Sequence, residues 1–214
     1  MPDPDIYFKQ VQLGPMQNFV YLIGDPQTRQ AAVVDPGWEP DKILKQLDDD
    51  GYSLSKIFLT HTHPDHWMGL HGLLGETDVP VYVHAEESDE LDVSRANLKP
   101  TSGGETVSVG QVPVQLIHTP GHTPGSQCLL ARGRLLSGDT LFIKGCGRCD
   151  LPGGDAATLY DSLMRLRQLD DTIVLYPGHD YADVPAIALG EEKRSSPFLK
   201  MPTLEDFLRL LGHA

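Results

Sequence analysis

The chain has 214 residues, enough to bury one sizeable hydrophobic core, so we expect a single domain over residues 1–214. Its 40% hydrophobic and 22% charged residues are typical of a globular protein and differ from disordered or membrane-spanning sequences. The formal net charge of -13 would repel nucleic-acid phosphates and anionic membrane surfaces. We therefore expect neither a nucleic-acid partner nor a membrane partner.

The N-terminus and the cysteines predict a cytoplasmic location. The opening MPDPDIYF has neither the basic start nor the apolar core of a secretory signal. The longest apolar runs, such as residues 19–23, are far shorter than the roughly 20 residues that cross a bilayer. Three cysteines are an odd number and do not make a disulfide framework, which suits a reducing compartment.

The first third of the chain alternates apolar runs with turn signals. Strand-length segments separated by Gly-Pro and Asp-Pro predict an antiparallel meander over residues 6–13, 18–24 and 30–35. A helix is predicted over 39–51, because Ile43, Leu44 and Leu47 fall on one face and Gly51 can end it. A strand at 56–60 and a helix over 66–76 follow.

The rest of the chain repeats the pattern of strands followed by helices. Short strands joined by glycine and proline are predicted at 79–84, 105–110, 112–118, 127–131 and 134–139. A helix follows over 155–169, with Asp155 as its N-cap, then a strand within 172–180 and a helix over 203–212 capped by Thr203. Sheets in both halves, each followed by helices, predict an α/β fold of two packed sheets with helices outside.

Five of the nine histidines directly follow predicted strands, as does one aspartate. The segment THTHPDH brings three histidines and a carboxylate together, and the other ligand candidates come from TPGHTPGS, SGDTLF and YPGHDY; the full set is His61, His63, Asp65, His66, His122, Asp139 and His179. Loops at strand ends meet at one edge of a sheet, so residues distant in the chain can converge there. The remaining histidines, His71, His84, His118 and His213, are interpreted as structural.

The residue types indicate a metal centre. Imidazole nitrogens and carboxylate oxygens suit zinc and similar divalent ions. Six or seven donors exceed the four ligands that one zinc ion normally takes, and a carboxylate such as Asp139 can bridge two ions about 3.5–4 Å apart. The sequence therefore favours a dinuclear site.

These four segments, in this order, resemble the motifs of the metallo-β-lactamase superfamily over essentially the whole chain. The segment SGDTLFIKGCGRCDLPGGD is most similar to the glyoxalase II, persulfide dioxygenase and polyketide-cluster hydrolase branches. The resemblance implies an αββα sandwich of two mixed β-sheets flanked by helices. It also implies that His61, His63 and His122 bind one metal, that Asp65, His66 and His179 bind a second, and that Asp139 bridges them.

The leading functional interpretation is a thioester hydrolase similar to hydroxyacylglutathione hydrolase, with two Zn²⁺ ions. A water shared by the metals would supply hydroxide near neutral pH, and Asp65 or Asp139 would orient it. The alternative is a persulfide dioxygenase acting on glutathione persulfide, with a single Fe²⁺ ion held by two histidines and a carboxylate. A third hypothesis, a non-catalytic binding module, predicts closed coordination without water.

The substrate is expected to be a small-molecule thioester or another thiol-carrier compound, and the resemblance also implies residues that contact it. Arg148 in GCGRCD corresponds to a basic position that helps to hold glutathione, although a salt bridge to Asp150 or Asp155 is equally expected. Tyr181 matches a tyrosine after the last metal histidine, and Lys193 and Arg194 offer further positive charge. The pair Cys146 and Cys149 is interpreted as structural. The oligomeric state stays open, with a homodimer among the states that the sequence allows.

Overall fold

The computed structural model describes residues 5–212 and has two six-stranded mixed sheets at its centre. In the first sheet the strands lie in sequence order, with β1, β2 and β3 antiparallel and β3 to β6 parallel. Its strands are β1 (Tyr7–Leu13), β2 (Asn18–Gly24), β3 (Gln30–Val34), β4 (Ser53–Phe58), β5 (Val81–His84) and β6 (Leu98–Thr101).

The second sheet has the order β14-β13-β10-β9-β8-β7, and only the β10–β13 pair is parallel. Its strands are β7 (Thr106–Val109), β8 (Val112–His118), β9 (Gln127–Ala131), β10 (Arg134–Gly138), β13 (Val174–Pro177) and β14 (Ile187–Ala188). A small hairpin of β11 (Leu141–Phe142) and β12 (Gly145–Cys146) extends from the end of β10.

Within residues 5–212, six α-helices accompany the sheets, and a 3-10 helix spans Ala85–Glu90. They are α1 (Pro40–Asp49), α2 (Pro64–Trp67), α3 (Leu70–Glu76), α4 (Ala156–Leu166), α5 (Leu189–Ser195) and α6 (Leu204–Leu210). None of these helices, within residues 5–212, combines the length and apolar character that a bilayer crossing requires.

Strand β2 shows why the sheets pack in layers. All seven of its residues are buried, and successive side chains point to opposite faces. Val20 and Leu22 join the core beneath α1 and α3, whereas Tyr21 and Ile23 join the core between the two sheets. A third core, with Leu159, Leu163 and Phe207 among its members, lies between the second sheet and helices α4 and α6. The predicted αββα sandwich is confirmed.

The predicted antiparallel meander at the N-terminus is confirmed, and one helix prediction needs correction. The single helix expected over 66–76 is two helices, α2 and α3, separated at Met68 and Gly69. Gly69 lies so close to Pro36 that an added Cβ would be 2.6 Å from the Pro36 carbonyl oxygen. This close approach brings α2, which carries Asp65 and His66, against the loop that follows β3.

Candidate metal centre

All seven predicted metal ligands lie together at one edge of the sandwich. The segment from His61 to His66 follows β4 of the first sheet, whereas His122, Asp139 and His179 come from loops of the second sheet, after β8, β10 and β13. The two edges meet directly, because the Phe19 amide of β2 donates to the Gly178 carbonyl at 2.8 Å. Parallel strands β10 and β13 end side by side, so Asp139 and His179 become neighbours.

Three histidines form the first group of donors. His61 Nε2 lies 3.1 Å from His63 Nδ1, and His122 Nε2 lies 2.9 Å from the same His63 atom. One ligand atom from each residue therefore faces a common point.

The second group consists of Asp65, His66 and His179. The Nε2 atoms of His66 and His179 lie 3.2 Å apart. Asp65 Oδ2 is 3.5 Å from His66 Nε2 and 3.4 Å from His179 Nε2.

Asp139 lies between the two groups. Its Oδ1 is 3.4 Å from His66 Nε2, and its Oδ2 is 3.7 Å from His122 Nε2 and 3.4 Å from His179 Nε2. Asp139 Oδ1 is buried and has no hydrogen-bond partner within residues 5–212. A buried carboxylate oxygen without a hydrogen bond is costly unless a cation satisfies it.

Four of the five histidines hold their outer ring nitrogen on a hydrogen-bond acceptor. His122 Nδ1 donates to the Arg148 carbonyl at 2.6 Å, and His179 Nδ1 donates to the Met16 carbonyl at 2.9 Å. His66 Nδ1 lies 3.0 Å from the Asp35 carboxylate. His61 Nδ1 lies 3.1 Å from Thr60 Oγ1, whose own proton goes to Asp35. Such contacts fix the tautomer and direct the Nε2 lone pairs inward, as in known metal-binding histidines.

The donor set fits divalent metal ions. Two nitrogens bound at about 2.0–2.1 Å in tetrahedral geometry lie about 3.4 Å apart, close to the separations within each group. A cation between the Nε2 atoms of His66 and His179, which lie 3.2 Å apart, would accept a lone pair from each ring. Burial lowers the pKa of His61 and His63, which favours the neutral imidazole that binds metals.

The electrostatics of the second group depend on its carboxylates. Burial alone would lower the pKa of His66, but Asp139, Asp35 and Asp65 together raise it to about 9. Burial also opposes ionisation of Asp139, yet His66 and the hydrogen bond from His179 hold the pKa of that carboxyl well below its usual range. Asp139 is therefore an anion, the form that binds cations.

Glycines let the backbone approach the ligands. An added Cβ at Gly147 would lie 2.0 Å from the Asp139 carbonyl oxygen and 2.9 Å from the His122 ring. At Gly178 it would lie 2.4 Å from Asp139 Oδ1, and at Gly37 it would lie 1.6 Å from the Asp65 carbonyl oxygen. No other residue type fits these positions without moving a ligand.

Sequence reasoning missed three residues that position the ligands. Asp35 accepts from the Thr60 amide at 2.7 Å and also holds His66. Asn18 donates to Asp65 Oδ2 at 2.8 Å and accepts from the Trp38 indole at 2.9 Å. Glu87 accepts from the amides of Thr62 at 2.8 Å and Gly125 at 2.7 Å, and so joins the two loops of the first group.

One sequence signal could have found Asp35. It directly follows the buried strand β3 and precedes Pro-Gly, which is the same strand-end position that identified the ligands. Asn18 and Glu87 show no such pattern.

The four predicted substrate contacts lie in different places. Tyr181 stacks on His179, with ring centroids 4.7 Å apart, and so lies beside the metal centre. The Arg148 carbonyl holds His122, but its exposed guanidinium donates to both oxygens of Asp150 at 2.9 and 2.8 Å. The salt-bridge interpretation of Arg148 therefore describes this structure.

The structure does not bring Lys193 or Arg194 to the centre. The Lys193 ammonium contacts Asp171 at 2.6 Å. Asp171 precedes the first residue of β13, whereas His179 follows the last residue of that strand. Arg194 is exposed on the same helix, α5. Neither position supports the predicted substrate contact, because helix α5 directs Lys193 toward the loop that precedes β13.

The cysteines and remaining histidines also have defined positions. Burial raises the pKa of the Cys146 thiol to about 12 and raises that of Cys149 as well, so both are weak nucleophiles. His84 and His118 stack on each other with centroids 3.8 Å apart, outside the two donor groups, and His71 makes an edge contact with Trp67. His213 lies outside the described residues.

Comparison with known proteins agrees with this geometry. The sequence profile of the Metallo-beta-lactamase superfamily matches residues 13–179. A probable polyketide biosynthesis zinc-dependent hydrolase of Bacillus subtilis (strain 168) is 32% identical over 193 residues, covering 90% of this chain and 86% of that protein. A hydroxyacylglutathione hydrolase of Thermosynechococcus vestitus is 39% identical over 168 residues, covering 77% of this chain and 64% of that protein.

Solved structures give the same result. ETHE1 from Myxococcus xanthus has a TM-score of 0.87 and 36% sequence identity, covering 96% of this chain and 90% of that one. TTHA1623, solved in a di-iron-bound form, has a TM-score of 0.75 and 32% identity, covering 89% of this chain and all of that one (100%). On the profile match, the relatives and the metal-ligand geometry together, this chain belongs to the metallo-β-lactamase superfamily.

Proposed function

We propose that the protein is a hydrolase of thioesters that works with two zinc ions at this centre. The observation that carries the proposal is the position of Asp139, whose two oxygens face both donor groups. The residues Asp65, His66 and His179 add three donors to the three histidines of the first group, which is more than the four ligands that one zinc ion normally takes. The similarity to a zinc-dependent hydrolase and to hydroxyacylglutathione hydrolases supports the same chemistry.

The metals and the protein would have separate tasks. Two divalent ions held there would supply a water molecule with its pKa lowered toward about 7 and a positive charge that polarises the substrate carbonyl group. His61, His63 and His122 would hold one ion, Asp65, His66 and His179 the other, and Asp139 both.

The carboxylates would orient the attacking water. Asn18 donates to Asp65 Oδ2, which fixes this side chain and leaves its Oδ1 able to accept a hydrogen bond from water. Trp38 in turn fixes the orientation of the Asn18 amide.

The leaving group needs little help from the protein. A thiol has a pKa of about 8.5, so it can depart as a thiolate without a general acid. The proposal therefore requires no general acid among the seven ligand residues. It also agrees with the unreactive thiols of Cys146 and Cys149.

A second candidate is a persulfide dioxygenase with a single iron ion. Two histidines and a carboxylate with open positions suit Fe²⁺ in oxygen-activating sites, and His61, His122 and Asp139 could supply them. The similarity to a structure solved with two iron ions supports the view that this fold accepts iron.

Metal analysis and two assays separate these functions. The protein would be purified without added metal, analysed for zinc and iron, and assayed on S-acylglutathione thioesters and on glutathione persulfide with an oxygen electrode. About two zinc ions per chain and thioester hydrolysis would support the first function. One iron per chain and oxygen consumption without thioester hydrolysis would refute it.

A further inference from the structure

A groove of about 520 Å³ opens next to the metal centre, and we call it the side groove. Its walls include Ile143, Lys144, Tyr181, Asp183, Ile187 and Glu191. The volume is within the range of pockets that hold small ligands, about 300–1,000 Å³. Its lining combines apolar side chains with three charges of both signs.

Tyr181 connects the side groove to the metal ligands. Its ring is stacked on His179 at an angle of 10°, while 60% of the residue is exposed to solvent. Phe142 makes edge contacts with both rings, at centroid distances of 5.5 Å to Tyr181 and 6.0 Å to His179. Tyr181 therefore borders both the metal centre and the side groove, so a substrate bound at the centre could reach the groove over this ring.

Lys144 brings the positive charge into the side groove. It lies in the turn between β11 and β12 with a φ of 59°, and its amide donates to Glu192 Oε1 at 2.7 Å. Glu192 is fully buried, so this contact fixes the backbone from which the Lys144 side chain projects. No hydrogen bond or salt bridge from residues 5–212 holds the Lys144 ammonium itself.

Arg148, which lies near the centre, and Lys193, which lies away from it, are already engaged and lie outside the groove lining. Arg148 forms its two hydrogen bonds with Asp150, and Lys193 contacts Asp171. Asp183 and Glu191 also line the groove, so a strongly anionic ligand would meet two negative charges. A ligand that places a carboxylate near Lys144 and an ammonium near Asp183 or Glu191 would match the charges of the groove.

We propose that Lys144, and not Arg148, determines specificity for the thiol carrier of the substrate by binding its carboxylate in the side groove. The proposal rests on the proposed thioester hydrolysis, because it concerns where the thiol carrier of that thioester, the part that does not react, is bound. The carrier that fits is a small thiol with an amino-acid group, whereas the several phosphates of coenzyme A would be repelled by Asp183 and Glu191.

Binding of thioethers tests the proposal without depending on hydrolysis. The metal-loaded protein would be titrated calorimetrically with S-hexylglutathione, S-hexyl-N-acetylcysteamine, which is uncharged, and S-hexyl coenzyme A. The variants are Lys144→Met, Arg148→Met and, as a control with the same loss of charge, Lys45→Met on α1. We expect Lys144→Met to weaken S-hexylglutathione binding about tenfold, because a charged hydrogen bond is lost.

The other arms distinguish the alternatives. Arg148→Met and Lys45→Met should leave S-hexylglutathione affinity within about twofold, and Lys144→Met should leave the uncharged thioether unchanged. The proposal is wrong if Arg148→Met has the larger effect, if both thioethers weaken equally in Lys144→Met, or if the wild type prefers coenzyme A or binds none of the three. Hydrolysis of the matching thioesters by the wild type, measured in parallel, shows separately whether the proposed function fails.

Discussion

At the scale of single residues, the two nitrogens of four ligand histidines, all except His63, have different roles. One faces the metal position, and the other donates to a fixed acceptor such as the Arg148 carbonyl or the Asp35 carboxylate. Positioning residues of this kind commonly change metal affinity 10–100-fold when they are removed. The residues that hold the ligands are therefore as testable as the ligands themselves.

Asp139→Ala should be far more damaging than Cys149→Ala. The first change removes the carboxylate that faces both donor groups, so we expect roughly a hundredfold or greater loss of kcat/KM and loss of about one metal ion per chain. The second removes a buried thiol that faces no ligand, so activity should change less than about threefold. Kinetics and metal analysis of both variants check this, and equal large losses with metal retained would implicate the cysteine pair in the chemistry.

Asp35→Asn should weaken metal binding, most directly at the second position, because Asp35 contacts His66 itself and reaches His61 only through Thr60. The substitution removes the negative charge beside His66 Nδ1 and keeps the size of the side chain. We expect the affinity of the more weakly held ion to fall about 10–100-fold, measured by competition with a chelator. Asp50→Asn is the matched control, because Asp50 binds Lys9 and Tyr7 away from the centre. Equal metal loss in both variants would contradict this role of Asp35.

The convergence of the seven candidate ligands could be predicted from sequence, but most of the residues that position them could not. Closely spaced histidines directly after a strand are a rare pattern, so His61, His63 and His66 were conspicuous. Asn18 reaches Asp65 across 47 positions of the chain, and no local pattern signals a contact of that kind. Arg148 shows another limit, because the sequence alone does not distinguish a guanidinium that binds substrate from one that pairs with Asp150.

At the scale of secondary-structure elements, the loops after the strands depend on glycine for close approach to the ligands. Gly147→Ala should displace Asp139 and His122 from their positions. The added Cβ would lie 2.0 Å from the Asp139 carbonyl oxygen and 2.9 Å from the His122 ring. We expect at least tenfold lower kcat/KM and weaker metal binding. Gly75→Ala is the control: its Cβ would meet nothing within 4 Å, and in helix α3 it should stabilise by about 0.5–1 kcal/mol. Unchanged metal affinity in Gly147→Ala would refute the argument.

The contact between α5 and the β11–β12 turn should make stability depend on pH. Burial raises the pKa of Glu192 above its ordinary value of 4.5, although the Lys144 amide partly opposes this. The folded protein therefore holds the Glu192 carboxyl proton more tightly than the unfolded chain does. The contribution of Glu192 to the free energy of unfolding is greatest below the ordinary pKa of 4.5 and falls as the pH rises through the raised pKa.

Glu192→Gln removes this dependence and keeps an oxygen that can accept from the Lys144 amide. The difference in Tm, variant minus wild type, should therefore become more positive as the pH rises from 5 to 8. Thermal unfolding of both proteins across that range checks the sign. A difference in Tm that stays constant or decreases as pH rises would contradict it.

The elements that sequence analysis missed lack the signals on which it depends. Strand β6 reads LKPT, with exposed side chains and a proline, and β14 has only two residues. Helix α5 is short and highly charged, and its burial depends on tertiary contacts of Leu189 and Glu192. The long apolar strands and the amphipathic helices α1 and α4 were predictable, because their periodicity is visible in the sequence.

At the scale of the whole molecule, the metal centre joins the two sheets. The ligands from His61 to His66 come from the first sheet, and His122, Asp139 and His179 come from the second. Each donor group contains residues from both sheets, so bound ions would hold the two halves of the sandwich together. A folded site binds metal far better than the unfolded chain, so metal binding should stabilise the fold.

Removal of metal should lower the Tm. At a free metal concentration 100 times the Kd, binding stabilises by about 2.7 kcal/mol, which corresponds to roughly 5–10 °C for a chain of this size. Calorimetry of the metal-loaded and chelator-treated protein checks this, with zinc added back as the reversibility control. An unchanged Tm after verified metal removal would show that the ions do not link the sheets.

Titration of the metal-free protein with zinc, followed by thioester hydrolysis, tests the dinuclear hydrolase most directly. Two donor groups that share Asp139 predict that activity rises until two zinc ions are bound per chain and then stays constant. Asp65→Ala, which removes a ligand of the second group only, should bind one ion per chain and show little activity. Full hydrolytic activity with a single zinc ion per chain, or activity only as oxygen consumption with one iron ion, would contradict the account.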